Sequence, residues 1–382
     1  MKVLVLPAWY PTARYPVGGI FCPEQARALQ SRPGVEARVL FVDRVPPRQW
    51  RRTRGQELRP IDEAGVQVYR VPMPRLRAIW PLLYAAWTVW AIRRLIHTEH
   101  FRPDVLHAHV SLPAGLAGGL VKRLFGIPLV LTEHTSPFSL LMRNRLATAA
   151  TRAAIHAADR VIAVSPALEA EIRAYPALRR PITIVPNVVD VDAFSALAVA
   201  GEAHRLLFVG EMETERKGVP YLLAALALLR GRSLDVCLDL VGGGRRRAEY
   251  EERAVALGVA SSCRFHGSLP HHEVAALMTR AGLFVLPSLQ ETFGVVLAEA
   301  LAAGLPLVAT RSGGPEEIVT PDVGVLVPPA DAAALADGIA GVLTRRADFP
   351  AAHLRAVATE RYGQAAVAGR LIDLYTEVVA RR

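Results

Sequence analysis

The sequence predicts an α/β protein made of two doubly wound domains, each around an open parallel sheet. Three observations carry that expectation. The chain has 382 residues, a length at which two cores are more natural than one. In its first half, short apolar strand runs alternate with helical segments, the pattern of a parallel sheet with helical crossovers. After a small, polar stretch at Ser195–Ala203, read as a linker, the same alternation restarts at Arg205–Val209. The expected boundaries are 1–194 and 204–360, with 361–382 left for a terminal helix.

Composition narrows the class. With 52% hydrophobic and 21% charged residues the chain is globular and can fill its cores. No apolar run reaches the ~18–20 residues of a membrane span. The longest, Ala78–Ile92, is short and carries Pro81 and Thr88. The N-terminus opens directly on a strand without a signal-peptide layout, so a cytoplasmic protein is expected. Cys22, Cys237 and Cys263 are far apart and give neither a disulfide framework nor metal-ligand spacing. The net charge of +10 points to anionic substrates or an anionic membrane surface. Nucleic acid is disfavoured, because the arginines are spread through helices and no aromatic–basic RNA motif is present. Only Lys2, Lys122 and Lys217 are lysines, which singles out Lys217 in its loop.

In order, Lys2–Ala8 is the first strand. A loop, WYPTARYPVGGIF, leads to a helix at Pro23–Gln30. Gly18 and Gly19 in that loop permit close backbone approach to a ligand at the carboxyl end of the strand. Ala37–Val42 and Gln67–Val71 are strands, and the basic stretch Arg44–Arg59 between them is expected as an exposed excursion. Trp80, Tyr84, Trp87 and Trp90 fall near helical spacing between flanking arginines. That segment is a helix packed on the sheet, or one lying on an anionic bilayer. Asp104–Ala108 is a strand entering the motif His-Ala-His. His107 and His109 are expected on opposite faces, which argues against a two-His metal site. After the helix Pro113–Phe125 and the strand Pro128–Thr132 come Glu133 and His134. They stand where open α/β sheets commonly place catalytic groups, and a His there can bond a hydroxyl or relay a proton. Arg160–Val164 is a strand. Ser165 and Pro166 form an N-cap and first-turn pair for the helix Ala167–Ala174. Ile182–Val185 is the last strand of this half.

In the second half, Arg205–Val209 is followed by the loop GEMETERKG and a helix at Val219–Leu229. Leu234–Val241 ends in GGGRRR, which is not a dinucleotide fingerprint. Cys263–His266 is a strand. The stretch around which the chain is organised is Val285–Val319: strand, loop, the helix VVLAEALAA, strand, loop, helix start. Gly304, with Pro306 just beyond, stops that helix. Glu291 and Glu299 flank its N-terminus. The amides of Gly294, Val295 and Val296 are unpaired helix donors beside the positive end of the dipole, a place for phosphate. The carboxylates can accept hydrogen bonds from sugar hydroxyls. Phosphate donors flanked by hydroxyl acceptors suit a nucleotide sugar. Gly324–Val327 is the last strand, and Asp331–Leu343 and Gly363–Val379 are helices.

The stretch resembles the E-x7-E region of family 4 retaining glycosyltransferases. Pro287–Ser288 before it, the pair Phe293–Gly294, and the later Gly-Gly-x-x-Glu-Ile match as well. The opening W-Y-P with E-Q, the V-S-x-x-L at Val164–Leu168, the P-N-x-V-D at Pro186–Asp190 and Lys217–Gly218 match in the same order, over nearly the whole chain. The resemblance implies the GT-B fold, two Rossmann-like domains facing a central cleft, with the terminal helix crossing back to the first. It places Glu299 at the donor ribose, Glu291 and His134 near the transferred sugar, and Lys217 on the diphosphate. Gly18, Gly19, Phe293, Gly294, Val295 and Val296 complete the expected donor site. The Asp190–Asp192 pair falls in the segment closing the first domain, so no metal is expected, and no cofactor beyond the nucleotide-diphosphate sugar. Two departures stand out: Val188 replaces a glycine, and Glu211 replaces the arginine that shares the diphosphate with the lysine. Arg216 is the candidate to supply that charge.

The implied activity is retaining transfer of a hexosyl unit from a nucleotide sugar to a hydroxyl of a glycan or lipid-linked acceptor. Two other classes stay open on the residues alone. A glycoside hydrolase could use Glu291 and Glu299 as acid and base. A non-catalytic sugar-nucleotide or polymer-binding module draws support from Glu211.

Overall fold

The structure is a computed structural model. It describes residues 1–12, 18–53, 58–75, 80–175, 178, 180–195 and 202–381. The chain forms two compact units, Met1–Val188 with Gln364–Arg382, and Val189–Gly363. Most of the expected linker, 196–201, lies outside the described residues.

The first unit runs β1 (Lys2–Pro7), α1 (Phe21–Gln30), β2 (Glu36–Val45), α2 (Pro47–Thr53), β3 (Pro60–Glu63), β4 (Val66–Pro74), α3 (Trp80–Thr98), β5 (Val105–His109), α4 (Leu116–Phe125), β6 (Leu129–Glu133), α5 (Arg145–Ala157), β7 (Arg160–Ala163), α6 (Pro166–Arg173) and β8 (Ile182–Ile184). Its strands pair in the order β3-β4-β2-β1-β5-β6-β7-β8. All pairs are parallel except β3 with β4. The strands are continuous apolar runs because helices cover both faces of a parallel sheet. Val3, Val5 and Val39 share one buried cluster with Leu29 of α1 and with Leu371 and Tyr375 of the C-terminal helix Gln364–Ala380.

Two expectations are refined here and one is overturned. The basic excursion after β2 contains the helix α2 and ends in the edge strand β3, which begins on Pro60, where a missing amide costs no ladder bond. In α3, Tyr84, Thr88, Ala91, Ile92 and Leu95 are buried at helical spacing, so this face packs on the sheet, while Trp90 remains 40% exposed. His107 and His109 do not face opposite sides. Residues two apart in a strand share a face, and their rings lie 4.4 Å apart between centroids.

The second unit runs α7 (Val191–Ser195), β9 (Arg205–Val209), α8 (Val219–Gly231), β10 (Cys237–Val241), α9 (Arg247–Ala256), β11 (Cys263–Gly267), α10 (His271–Arg280), β12 (Leu283–Leu286), α11 (Val295–Ala303), β13 (Leu307–Thr310), α12 (Pro315–Ile318), β14 (Gly324–Val327), α13 (Ala332–Thr344) and α14 (Ala351–Tyr362). Its six strands are parallel, in the order β11-β10-β9-β12-β13-β14. The order reverses between β9 and β12. The crevice at such a switch point, beyond the carboxyl ends of the strands, is where open α/β sheets hold ligands. The loops after β9 and β12 are the two that carry Lys217 and Glu291. Helix α11 is buried almost all round and therefore needs cover beyond its own sheet. Part of it comes from α14, with Leu354 and Ala358 fully buried, a helix the sequence pattern left unread.

Candidate active site

Two glycines allow the loops at the switch point to meet. Gly218 has φ +67°, and a Cβ there would sit 1.8 Å from the Pro287 carbonyl oxygen. Gly294 caps α11 at φ +84°, a left-handed conformation open to glycine at no steric cost. The amide of Leu289 donates to the carbonyl of Arg216 at 2.7 Å, fastening the two loops. A third loop joins through Glu291, whose amide donates to Ser312 and whose carbonyl accepts from Gly314, each at 2.8 Å.

That frame brings Lys217 Nζ to 2.5 Å from Glu291 Oε2, with the two side chains 21% and 12% exposed. Ser288 Oγ donates to the same oxygen at 3.4 Å. The site thus holds a cation and an anion in partial contact with solvent, next to the start of a nine-residue helix. No described residue accepts from the amides of Gly294, Val295 or Val296, which keep the anion-binding potential of a helix N-terminus. Further along α11, Glu299 is only 5% exposed. His271 Nε2 lies 3.0 Å from its Oε1, and Phe194 packs edge-on against that imidazole at 5.5 Å.

Some predicted residues take other parts. The ring of Phe293 is buried edge-on to Tyr362, 5.8 Å between centroids. Its side chain anchors the loop, because an aromatic ring beside an apolar helix is worth more in the core than in water. Arg216 stands in the turn Glu215–Lys217, capped by Thr214, and its carbonyl makes the tie to Leu289. Glu211 is exposed. It follows Gly210, where a Cβ would lie 3.5 Å from the stem of Lys217. Asp190 uses a carboxylate oxygen to accept from the Ala193 amide at 3.3 Å.

The remaining candidates belong to the first unit. Gly18 lines a cavity there, and Gly19, at φ +71°, turns the chain into α1. His134 stacks on Phe21 at 3.9 Å, and its Nε2 lies 3.0 Å from His109 Nδ1. Burial, and then the neighbouring His109, hold its pKa well below the ordinary value. Burial takes His109 down to about 3. Both rings are therefore neutral near pH 7. His134 Nδ1 and His109 Nε2 have no hydrogen-bond partner among the described residues. His107 is satisfied on both sides, by Thr132 Oγ1 at 2.7 Å and Tyr375 Oη at 2.6 Å.

The sequence reading missed His109 and His271. The first was legible, since the i, i+2 rule puts it beside His107 and toward the same end of the sheet. The second carried no local signal, because its pairing with Glu299 joins two helices.

Two parallel-sheet α/β units, the second with a lysine–carboxylate pair at its switch point beside an open helix start, are the marks of a GT-B glycosyltransferase. Residues 192–360 match the family model of glycosyl transferases group 1, and residues 20–193 that of glycosyltransferase family 4. The chain belongs to this family. It is 34% identical over 277 residues to a glycogen synthase of Mycobacterium tuberculosis, covering 69% of this chain and 65% of the relative. It therefore spans slightly under two thirds of that protein. It is 31% identical over 361 residues to a D-inositol 3-phosphate glycosyltransferase of Xylanimonas cellulosilytica, 84% of each chain. A solved structure of HepE from Anabaena, in complex with UDP and glucose, superposes with a TM-score of 0.73 at 21% identity, over 99% of this chain and 100% of that one.

Proposed function

We propose that this chain transfers a hexosyl unit from a nucleotide-diphosphate sugar to a hydroxyl of a glycan or lipid-linked acceptor, with retention at the anomeric carbon. The observation that carries the reading is the Lys217–Glu291 pair, 2.5 Å apart, beside the open amides at the start of α11. In this reading Lys217 and those amides take up the charge that develops on the leaving diphosphate, where preorganised donors contribute most. Arg216 adds to it from the neighbouring position. Glu291 exchanges its lysine for a hydroxyl of the transferred sugar. Glu299, oriented by His271, accepts from the ribose. Neutral His134 bonds a sugar hydroxyl, with His109 fixing its ring. The loop of Gly18 and Gly19 gives close backbone approach. The scheme uses no enzyme nucleophile, no metal ion and no cofactor beyond the nucleotide sugar.

In the same reading residues 1–194 serve the acceptor, 204–360 hold the nucleotide sugar, and the segment 361–382, through the helix Gln364–Ala380, belongs with the acceptor-side domain. The charge of +10 and the Trp-rich helix α3 suit a cytoplasmic enzyme in peripheral contact with an anionic membrane.

Thermal unfolding with UDP and UDP-glucose, the bound molecules of the HepE neighbour suggesting the base, is the first test. A ligand at ~100 times its Kd stabilises by ~2.7 kcal/mol. Lys217→Ala and Glu299→Ala should each abolish that shift, and Lys217→Ala should cost ~100-fold or more in turnover. A shift retained in both variants removes the assigned donor site. Free sugar released at an undiminished rate without acceptor would favour hydrolysis.

A further inference from the structure

One corner of the first unit turns leucines to solvent. A 3-10 turn, Phe138–Met142, leads through Asn144 into α5. Leu146, in the first turn of α5, is 82% exposed, and Leu140, in the 3-10 turn, 55%. The backbone that carries them is tied down. Phe138 is buried and its amide donates to Glu171 at 2.6 Å. Asn144 caps α5, its side chain accepting from the Ala147 amide at 2.8 Å. Thr151 Oγ1 donates to the Leu141 carbonyl at 3.1 Å. The corner is fixed with its leucines outward. Single exposed leucines are ordinary, but Leu120 and Leu124 are exposed on α4 as well. Helices α4 and α5 pack closely: a Cβ on Gly119 would lie 2.7 Å from that of Ala157.

The charge around these leucines has one sign. From Ser111 to Ala158 the one acidic residue is Glu133, fully buried among four donors. Helix α5 turns Thr151, Ala154 and Ile155 inward. It keeps Arg145, Ala149, Arg152 and Ala153 outward, along an open groove of about 700 Å³. Arg143 is exposed just before the helix. Elsewhere in this unit arginines close on carboxylates, as Arg38 does on Glu36 and Arg173 on Glu169, each at 2.7 Å. Among the described residues Arg143, Arg145 and Arg152 have no such partner. Arginines interleaved with exposed leucines on a helix face suit the boundary between lipid headgroups and acyl chains. A soluble polyanion would use the arginines but not the leucines. Helix α3 offers less, since its Trp90 ring is less exposed than either leucine and lies under Arg94 at 5.9 Å.

We propose that this corner docks on an anionic lipid bilayer, Leu140 and Leu146 entering the headgroup layer and Arg143, Arg145 and Arg152 meeting lipid phosphates. This rests on the lipid-linked acceptor of the transferase reading, to which it adds the surface that meets the lipid. The 3-10 turn begins four residues after His134. A bilayer seated there brings a lipid-borne hydroxyl to the end of the sheet that carries His134.

Co-sedimentation of the full chain with vesicles tests this, using phosphatidylcholine alone and an equal mixture with phosphatidylglycerol. Binding to the mixture should be on the order of 100-fold tighter, about fivefold for each of the three arginines. Arg145→Gln and Arg152→Gln should each weaken it about fivefold, and Leu146→Ser about tenfold. UDP binding should be unchanged in all three variants. Equal binding to both vesicles, no binding to either while UDP still binds, or full binding by Leu146→Ser would each overturn the inference and leave the transferase reading standing. So would a preference kept in all three variants and lost in Trp90→Ala, which would move the contact to α3. Binding to soluble polyphosphate as tight as to the mixture, and indifferent to Leu146→Ser, would overturn it in favour of a soluble polyanion. Absence of UDP binding in the unaltered chain would count against the transferase reading instead.

Discussion

Each unit sets a glutamate at the carboxyl end of a parallel strand, and the two are used in opposite ways. Glu133, the last residue of β6, is fully buried. It accepts from the Ser111 amide and hydroxyl at 2.9 and 2.6 Å, and from the amides of His134 and Thr135 at 2.9 and 2.8 Å. Glu291, just past β12, has a lysine ammonium and one long serine contact. Main-chain donors cannot leave, whereas a lysine on a flexible stem can turn to another anion. Glu133 is thus part of the frame that orients the loop bearing His134. In the proposed reading Glu291 is a carboxylate that exchanges its partner for a substrate. The surroundings differ in kind as well. The polar interior near Glu133 is a set of neutral histidines, while the second unit balances charge with charge, as where Arg205 closes on buried Asp239 at 2.7 Å.

The largest expected effect breaks the first side of this comparison. Glu133→Ala leaves four buried donors unpaired, each worth about 1–3 kcal/mol, so a loss on the order of 4 kcal/mol is expected. Urea unfolding reads it. A change below about 1 kcal/mol, the range of a single ordinary hydrogen bond, would place Glu133 among exchangeable groups like Glu291.

Acid should separate the units next. The unfolded histidines take up protons near pH 6.5, while folded His109 resists until about 3, and His107 and His134 are lowered as well. Below pH 6.5 the unfolded chain therefore binds more protons. The stability these residues support is complete above 6.5 and falls as pH drops toward 3, by up to ~1.4 kcal/mol per pH unit per histidine. His109→Asn should flatten the acid limb of a stability–pH curve. An unchanged slope would mean that these rings titrate normally.

The smallest effect sharpens the second side. Glu211→Arg adds an exposed cation near the Lys217 stem, where a surface charge is worth up to ~1 kcal/mol. UDP affinity should rise by no more than about fivefold. A fall would place that position away from the diphosphate.

Much of the frame is written locally. Strand–helix alternation gives both sheets, and Ser165 caps its helix as expected, accepting from the Leu168 amide at 3.1 Å. Gly294 and Gly304, both at φ +84°, bound α11 where the sequence put its ends. Lys217 was marked by its rarity and Glu291 by its motif. Their contact, across 74 positions of chain, was not legible, nor was the burial of Phe293, because both depend on which loops the strand order makes neighbours.

The sequence by itself determined the class of fold, the start of α11 and the residue types that can hold a diphosphate and a sugar. Caps, glycine turns and hydrophobic periods act within a few residues, so they can be read without partners. Only the tertiary structure decided that Glu291 meets Lys217, that Glu299 meets His271, that Glu133 is buried among four donors, and that His107, His109 and His134 are held neutral by burial. Those outcomes depend on desolvation and on contacts between distant strands and helices, and no local pattern encodes either.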